Sequence, residues 1–401
     1  MRRLRLTTAG ESHGPGLTAI LEGLPAGLTV DFALLEREMA RRQHGYGRGR
    51  RMQIERDRAE IRGGVRDGET IGSPLALWIA NRDYETWRRA MAAAPEEIDR
   101  DFVELRRLRS PRPGHVDLAG GQKYLRRDLR DLLERASARE SAARVAAGAF
   151  AKMLLAELGV EIRSGVRSLG PIGADTPIPG WDEISAVDDA SPLRAIDRGL
   201  EPRMVALVDE AKAQGETLGG SATVVAHGVP PGLGSHVQWS EKLDGRIAQA
   251  MLSVPAVKAV EIGAAIAAAR DFGSRAHDAI EYSPERGFTR PTNRAGGVEA
   301  GITNGEDVVV TLYKKPISTL REGLPSVDLD TLAAHRAQYE RSDVTALPAA
   351  GVIGEAMLAL VLADACLEKF GGDSLAELLA HFEASRELVR RWPGRAGASD
   401  R

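Results

Sequence analysis

Arginine side chains are concentrated in the loop that follows the first predicted helix. Five arginines fall within residues 41–51, where Gly45, Gly47 and Gly49 alternate with other residues. Alternating glycines let backbone N–H groups approach a ligand closely, while guanidinium groups supply positive charge. The alternative is an ordinary surface loop, since the helix dipole already favours cations at a helix C-terminus. The number of arginines favours a loop that binds an anion.

A second basic segment surrounds Arg112. Two prolines and a glycine keep the backbone there out of a helix and place His115 on a loop. A helix is predicted over residues 128–158, because apolar residues recur at i, i+3, i+4 and i+7. Arg135 and Arg139 would lie one turn apart on it, as a repulsive pair. They either belong to a solvated face or bind an anion together with Arg112, since a guanidinium group suits phosphate and carboxylate.

Two histidines, His13 and His115, lie beside glycine in predicted loops. Imidazole titrates near neutral pH, so a histidine pair beside an arginine cluster suits proton transfer to a phosphate leaving group. The Gly10–Gly14 segment also matches the G-x-S-x-G pattern of serine hydrolases. No suitable acid and histidine follow it, so we do not favour an esterase.

Two further segments carry polar side chains at the ends of predicted elements. Lys315–Thr319 follows the β-prone run VVVTLY, and its lysine and hydroxyl groups either bind phosphate or simply end the strand. Arg341 and Asp343 precede an Ala-rich helix, where a local salt bridge is the simpler alternative. No P-loop, Rossmann glycine motif or zinc-protease motif occurs.

The composition limits the class of protein. The chain has 401 residues and a net charge of −3, and only 4% of its residues are aromatic, which predicts an aliphatic, Ala-rich core. Residues 1–150 are net basic and the remainder is net acidic, which favours a small anionic ligand over nucleic acid. The single Cys366 excludes an intrachain disulfide and a CxxC metal site. With no signal peptide and no uninterrupted apolar run of about 18 residues, we expect a soluble cytoplasmic protein without a membrane partner.

Similarity within the chain predicts an internally duplicated α/β unit. LEGLPAGL (residues 21–28) recurs as AHGVPPGL (residues 226–233), each after a β-prone run. GGVRDGETIGSPLALWI recurs loosely from residue 300 onwards, and the Ala-rich helix at 137–157 has a counterpart at 349–369. The repeated order of elements favours a duplication, although chance matching of glycine and proline turns is the alternative.

The segments between the repeated elements are predicted from composition. Residues 84–108 form a charged, helical insert, and the Pro-, Gly- and Asp-rich residues 170–195 connect the two halves. Residues 273–305 are glycine-rich with little periodicity, which is typical of a mobile active-site loop. We expect the residues after Trp392 to be disordered.

Nine segments between about residue 5 and about residue 375 closely resemble, in order, the motifs of the chorismate synthase family. They are GESHG, RRQHGYGRGRRM, RPGHVDLAG, ERASARE, SVPAVKAVEIG, GSRAHD, NRAGGVEAGITNG, KPIST and RSDVTALPAAG. The resemblance implies an α/β fold, a β-α-β sandwich with internal pseudo-symmetry. It implies a single domain over residues 1–390 with halves of about 1–165 and 200–375, a disordered tail over 391–401, and a homotetramer.

The resemblance also implies the reaction. The family removes phosphate and a ring hydrogen from 5-enolpyruvylshikimate 3-phosphate by anti-1,4-elimination, which gives chorismate, the last common step of the shikimate pathway to aromatic amino acids. This carbon–oxygen lyase reaction requires reduced FMN although it involves no net redox change. We therefore expect an external flavin reductant, with NADPH as a candidate.

The positions of the motifs imply the site residues. His13 would protonate the departing phosphate, His115 would lie against the reduced flavin, and Asp343 would orient or activate flavin N5. The implied substrate ligands are Arg42, Arg48, Arg112, Arg139 and Arg341, of which the first two are also candidate NADPH contacts. The implied FMN contacts are Arg135, Ala136, Ser137, Pro255, Ala256, Ala300, Lys315, Pro316, Ile317, Ser318, Thr319 and Arg341. Ala259, Ala279 and Ala300 depart from the family pattern, and the last replaces a glycine expected beside the flavin.

Overall fold

The structure, a computed structural model, describes residues 3–48, 57–340 and 343–392. In these residues the strands are β1 (Arg5–Ala9), β2 (Gly16–Glu22), β3 (Glu60–Gly63), β4 (Val65–Arg66), β5 (Glu69–Thr70), β6 (Leu75–Ala80), β7 (Glu161–Leu169), β8 (Gly220–His227), β9 (Val257–Ile262), β10 (Glu281–Ser283), β11 (Gly287–Thr289), β12 (Val298–Glu299), β13 (Ile302–Thr303), β14 (Val308–Lys314), β15 (Pro325–Val327) and β16 (Ala334–Arg336). The α-helices are α1 (Phe32–Gln43), α2 (Tyr84–Met91), α3 (Arg100–Arg106), α4 (Asp117–Tyr124), α5 (Arg130–Ala136), α6 (Ser141–Ala156), α7 (Trp181–Ser185), α8 (Glu201–Gln214), α9 (Leu243–Leu252), α10 (Ala265–Ala268), α11 (Gly273–Ala276), α12 (Leu347–Phe370) and α13 (Leu375–Arg391). Short 3-10 helices are Pro95–Glu97, Ala138–Glu140 and Trp239–Glu241.

Two four-stranded antiparallel sheets have the same topology. The first has the strand order β1-β2-β6-β3 and the second β7-β8-β14-β9, so each sheet places its strands in the order first, second, fourth, third. In each unit one helix (α1 or α9) lies between the second and third strands, and a long helix (α6 or α12) follows the fourth. This repeated arrangement confirms the predicted α/β fold with internal duplication.

The long helices α6 and α12 lie between the sheets and pack directly on each other. At their closest approach, a Cβ atom added to Gly148 of α6 would lie 2.4 Å from the Cβ atom of Ala356 on α12. Small residues at this crossing let the helix backbones approach, which accounts for an Ala-rich core with few aromatic side chains. By length and composition α12 could cross a membrane, but it is buried inside the protein, as expected of a helix that is apolar all round.

A buried threonine stabilises the same turn in both units. The Thr70 hydroxyl donates to the carbonyl of Pro25 (2.6 Å) and accepts the N–H of Leu28 (3.0 Å). Thr303 makes the same two hydrogen bonds in the corresponding turn of the second unit, at 2.7 and 2.8 Å. Hairpin β4–β5 therefore corresponds to β12–β13, and GGVRDGETIG to GGVEAGITNG at residues 296–305. The predicted repeat that began at residue 300 was out of register.

The predicted continuous helix over residues 128–158 is wrong, because the chain is extended at Ser137 (φ −61°, ψ 140°). The Ser137 hydroxyl accepts the N–H of Arg139 at 3.3 Å, a local bond that competes with helical pairing. α5 ends before this serine, and α6 begins after one 3-10 turn. Arg135 and Arg139 consequently have different surroundings and do not form the expected pair one helical turn apart.

Two loop predictions also required correction. Residues 170–195 do not connect the two units but lie within the second, between β7 and β8, where Arg194 is 1% exposed. Residues 273–305 form α11 and two hairpins, and Asp278 orders them by accepting hydrogen bonds from three groups within residues 292–295. The predicted insert at 84–108 is helical, as α2 and α3. The tail after Trp392 lies outside the described residues.

Candidate active site

The last turn of α1 carries Arg42 into a buried ion cluster. Nη2 of Arg42 binds Oδ2 of Asp57, and Nη1 of Arg139 lies 2.7 Å from Oδ1 of the same carboxylate. Burial alone would raise the pKa of Asp57, but the two guanidinium groups hold it below its usual range. Burial lowers the pKa of Arg42; Asp57 opposes this effect and the neighbouring Arg48 adds to it. One carboxylate, that of Asp57, therefore holds two guanidinium groups at one point.

A second ion pair adjoins this cluster. Nη1 of Arg48 lies 3.4 Å from Oδ2 of Asp343, and the N–H of Val344 donates to the carbonyl of Gly47 at 2.8 Å. Lys314, the last residue of β14, faces the same pair and is 9% exposed. The arginine loop, the end of β14 and the segment before α12 thus meet at one place.

The Nε atoms of Arg42 and Arg48 are buried and have no hydrogen-bond partner among the described residues. Leaving a buried donor unpaired costs free energy, and the cost is larger for a charged group. The oxygen atoms of a phosphate or carboxylate would provide the missing acceptors in the geometry that guanidinium groups prefer. These two atoms are the most direct sign of an anion-binding site.

The loop before α4 holds a second cluster. Asp117, which is 1% exposed, accepts hydrogen bonds from Nε of Arg112 (2.8 Å) and from Nδ1 of His115 (2.5 Å). Burial would raise the pKa of Asp117, but the hydrogen bonds from His115 and Arg112 hold it well below its usual range. Arg112 also donates to the hydroxyl of Thr319 at 3.1 Å. The carboxylate therefore fixes the Nδ1 side of the imidazole and directs Nε2 away from itself.

Two of the predicted flavin-binding segments meet at this loop. The Lys315 ammonium and the Ser318 hydroxyl (2.9 Å) both donate to the carbonyl of Gly114. The backbone N–H of Lys315 donates to the carbonyl of Ala256 at 3.0 Å. Lys315–Thr319, Pro255–Ala256 and the His115 loop consequently form one continuous wall.

His13 is held by a buried carboxylate. Its Nδ1 lies 2.8 and 3.0 Å from the two oxygens of Glu134 on α5, and its backbone N–H donates to Oε2 at 2.8 Å. Burial would raise the pKa of Glu134, but the hydrogen bond and charge of His13 hold it below its usual range. On the other side the ring of Trp87, from the helical insert, lies with its centroid 4.0 Å from that of the imidazole.

The turn that carries His13 also adjoins the arginine cluster. Nδ2 of Asn81 donates to the carbonyls of Ser12 (2.8 Å) and Gly14 (2.9 Å), which flank the histidine. The preceding carbonyl, that of Ala80, accepts a hydrogen bond from Arg139 at 3.4 Å. The end of β6 therefore positions His13 beside one of the cations that bind Asp57.

The remaining predicted residues are placed differently. Arg135 has an exposed side chain that donates to the carbonyls of Thr8 (3.0 Å) and Gly10 (3.3 Å), so it supports the GESHG turn, and Ala136 and Ser137 form the break that follows it. Ala300 is exposed at the tip of β12–β13, where a φ of 52° favours glycine. Arg341 lies outside the described residues.

Several residues of the site were not predicted from the sequence. Asp117 has a local signal, since it follows His115 by two residues and could have been expected to contact it. Lys314 also has a local signal in the sequence, because it places a charged side chain at the next alternate position of a strand whose other alternate residues are apolar. Asp57 and Glu134 lie in charged segments where nothing distinguishes them, and only the fold brings them to Arg42 and His13.

The fold and the site together define an α/β sandwich protein with a cluster of buried arginines whose donors left unpaired within the described residues fit a small anion. The chorismate synthase family profile matches residues 4–367. A chorismate synthase from Symbiobacterium thermophilum is 52% identical over 390 residues, covering 97% of this chain and 100% of that protein. One from Thermus thermophilus is 53% identical over 389 residues, again covering 97% and 100%. A solved crystal structure of a chorismate synthase has a TM-score of 0.77 at 42% identity and covers 98% of this chain and 100% of that chain.

The chain therefore belongs to the chorismate synthase family, and the resemblance drawn from the motifs is confirmed. It is a lyase, and its ligand is a small molecule.

Proposed function

We propose that the chain converts 5-enolpyruvylshikimate 3-phosphate into chorismate by 1,4-elimination of phosphate, with reduced FMN as the required cofactor. The observation that carries the proposal is the convergence of Arg42, Arg48 and Arg139, two of which keep a buried Nε donor without a partner among the described residues. The substrate carries one phosphate and two carboxylates. Such a molecule needs several guanidinium groups in a confined space, since each anionic group takes one or two charge-assisted hydrogen bonds.

The residues at the Gly114 carbonyl fit the phosphate of FMN. The Lys315 ammonium and the Ser318 hydroxyl converge on one carbonyl oxygen, and a phosphate oxygen would accept from the same two donors. Gly114 has a φ of 77°, and a Cβ atom there would lie 3.3 Å from Nζ of Lys315, so the absence of a side chain keeps this space open. When bound, reduced FMN supplies the electron-rich ring system that the elimination requires.

The two histidines are suited to proton handling on opposite sides of the site. Glu134 accepts from Nδ1 of His13 and fixes the orientation of the ring, so Nε2 is the nitrogen available to donate a proton to the departing phosphate. Asp117 orients His115 in the same way, beside the segments proposed to bind flavin. Asp343 forms an ion pair with Arg48 and faces this space from the segment before α12. Its role in orienting flavin N5 stays a prediction.

The nucleotide contacts of Arg42 and Arg48 also stay a prediction. Arg42 is 4% exposed and bound to Asp57, a position that suits a small substrate inside the site better than a bulky dinucleotide. We propose that reduced flavin is supplied by an external reductant. The homotetramer and the cytoplasmic location are likewise proposals.

The test is an anaerobic assay with dithionite-reduced FMN and 5-enolpyruvylshikimate 3-phosphate, which follows chorismate formation by absorbance. His115→Ala and Asp343→Ala should each lower turnover by about 10²–10⁴, the usual contribution of a positioned acid or base. Lys212→Met, an exposed position on α8, is the control and should keep wild-type turnover. If the wild type forms no chorismate at any enzyme level but changes the flavin spectrum on adding substrate, the chain is instead a flavin-binding module without turnover. The unusual Ala300 motivates that alternative.

A further inference from the structure

Lys314 is directed towards the interior of the protein by the alternation of β14. Val308, Val310 and Leu312 point into the main hydrophobic core, and Lys314 occupies the next position on the same face. Its backbone is paired with Gly220 of β8 and Val257 of β9, neither of which carries a polar side chain. The side chain is 9% exposed. A lysine at such a position is unusual unless a charged group accompanies it.

No hydrogen bond or ion pair joins the Lys314 ammonium to another residue in the described parts of the chain. The charges that face it are Asp343 before α12, Arg48 in the arginine loop and Lys315 on its own strand. Among the described residues, Arg42 is paired with Asp57 and Arg48 with Asp343, whereas Lys314 has no such pairing. Within the described residues, the ammonium group therefore adds a positive charge beside an ion pair that is already formed, and an external anion would compensate it.

We propose that Lys314 is a substrate-binding residue, and that its ammonium group completes the cationic face formed by Arg42, Arg48 and Arg139 by pairing with a phosphate or carboxylate oxygen. The identity of the ligand rests on the proposed function. The anion-binding role of the lysine rests on its burial and on its position beside the Arg48–Asp343 ion pair. Lysine presents a compact ammonium with three donors, which complements the planar guanidinium groups of its neighbours.

This assignment predicts a pH-dependent affinity. Burial lowers the pKa of Lys314 to about 8; Asp343 opposes this effect, while Arg48 and Lys315 add to it. Arginine keeps its charge throughout the neutral and alkaline range, and a carboxylate titrates in acid. Lys314 is therefore the facing group that changes charge near pH 8. An anion that binds beside it favours the ammonium form, so substrate binding takes up a proton when the pH is near or above 8.

The experiment measures binding of 5-enolpyruvylshikimate 3-phosphate to the full-length chain by calorimetry, in buffers of different ionisation enthalpy, at about pH 7 and about pH 9. Three variants accompany the wild type: Lys314→Met, Lys314→Arg and the exposed control Lys212→Met. Wild type and control should bind more weakly at the higher pH and take up a proton on binding. Lys314→Met should bind about 10- to 100-fold more weakly near pH 7, the effect of losing one charge-assisted hydrogen bond. Its affinity should not fall further at the higher pH, and it should take up no proton on binding. Lys314→Arg should keep most of the affinity near pH 7 and take up no proton.

A second probe, inorganic phosphate, separates this proposal from the proposed function. If the wild type neither binds the enolpyruvyl substrate nor forms chorismate, the proposed function fails. Weaker phosphate binding by Lys314→Met than by wild type would still support the lysine as an anion ligand. Equal affinity of wild type and Lys314→Met for both probes, or an unchanged proton uptake in Lys314→Arg, would overturn the proposal. Circular dichroism and thermal melting verify that each variant is folded.

Discussion

A buried ion network anchors the helix that carries Arg42 into the site. Glu355 on α12 is 0% exposed, and its two oxygens accept from Nη1 (2.7 Å) and Nη2 (2.9 Å) of Arg41. The same carboxylate binds the ammonium of Lys152 at 2.5 Å, and Glu38 shares both cations. We expect Glu355→Gln to destabilise the protein strongly, because it keeps the shape of the side chain and removes the central charge.

The magnitude follows from the balance of charge. The buried part of the network joins three cations to three carboxylates, namely Arg41, Lys152, Arg194, Glu38, Glu355 and Asp189, while Arg37 and Arg163 contact Glu38 and Asp189 from more exposed positions. Removing one partner leaves a buried positive charge uncompensated, which typically costs about 3–5 kcal/mol. With a urea dependence of about 3 kcal/mol per molar, the unfolding midpoint should fall by about 1–1.7 M.

The pH dependence of unfolding gives an independent readout. Burial would raise the pKa of Glu355, but Arg41 and Lys152 hold it well below its usual range. The pKa is thus lower in the folded than in the unfolded state. The charged carboxylate therefore contributes stability above its unfolded pKa of about 4.3, and this contribution is lost as the pH falls below that value. The difference in unfolding free energy between wild type and Glu355→Gln should accordingly shrink in acid.

Urea unfolding followed by circular dichroism at several pH values provides the measurement. Glu387→Gln is the matched control, because Glu387 binds Arg390 and Arg391 on the exposed surface of α13 and its removal should leave the midpoint unchanged. A Glu355→Gln midpoint equal to that of the wild type near pH 7 would refute the reasoning. Turnover should fall together with stability, since a loosened α1 displaces Arg42.

Three further predictions concern the site. Gly114→Ala should weaken flavin binding by about tenfold, because a left-handed φ of 77° costs an alanine about 1–2 kcal/mol and its Cβ atom crowds the 315–319 segment. Fluorescence titration with FMN measures this affinity. An unchanged affinity would contradict the proposed phosphate contact. Trp87→Ala should lower turnover about 2- to 10-fold in a folded enzyme, because the variant loses the ring that packs on His13. Trp87→Phe keeps an aromatic ring there and should retain most of the activity. Full turnover in the alanine variant would show that the contact is dispensable. Lys314→Met should raise the unfolding free energy of the ligand-free protein by about 2–3 kcal/mol near pH 7, because a lysine whose pKa is lowered to about 8 in the folded state costs stability below that pH. This cost should disappear as the pH rises to the unfolded pKa of about 10.4. Chemical unfolding at about pH 7 and at about pH 10 tests this, and a variant less stable than the wild type would contradict it.

The local sequence was a good guide wherever turns and strands repeat. The motif shared by residues 21–28 and 226–233 marks equivalent turns, and the Ala-rich segments are the two central helices. Periodicity was a poor guide at Ser137, where a single side chain hydrogen bond ends one helix and sets the direction of the next. Composition was also a poor guide over residues 273–305, since their hairpins depend on Asp278 and not on any regular apolar pattern.

The sequence by itself determined the family, the duplicated α/β unit and the residue types that bind anions, because turn chemistry and motif order are properties of neighbouring residues. Only the tertiary structure decided which charges meet. Asp57 lies 82 residues from Arg139 along the chain and Glu134 lies 121 from His13, yet each pair is in direct contact. The physical reason is that a buried charge needs a counter-ion wherever the fold places one, and neither composition nor periodicity records that position.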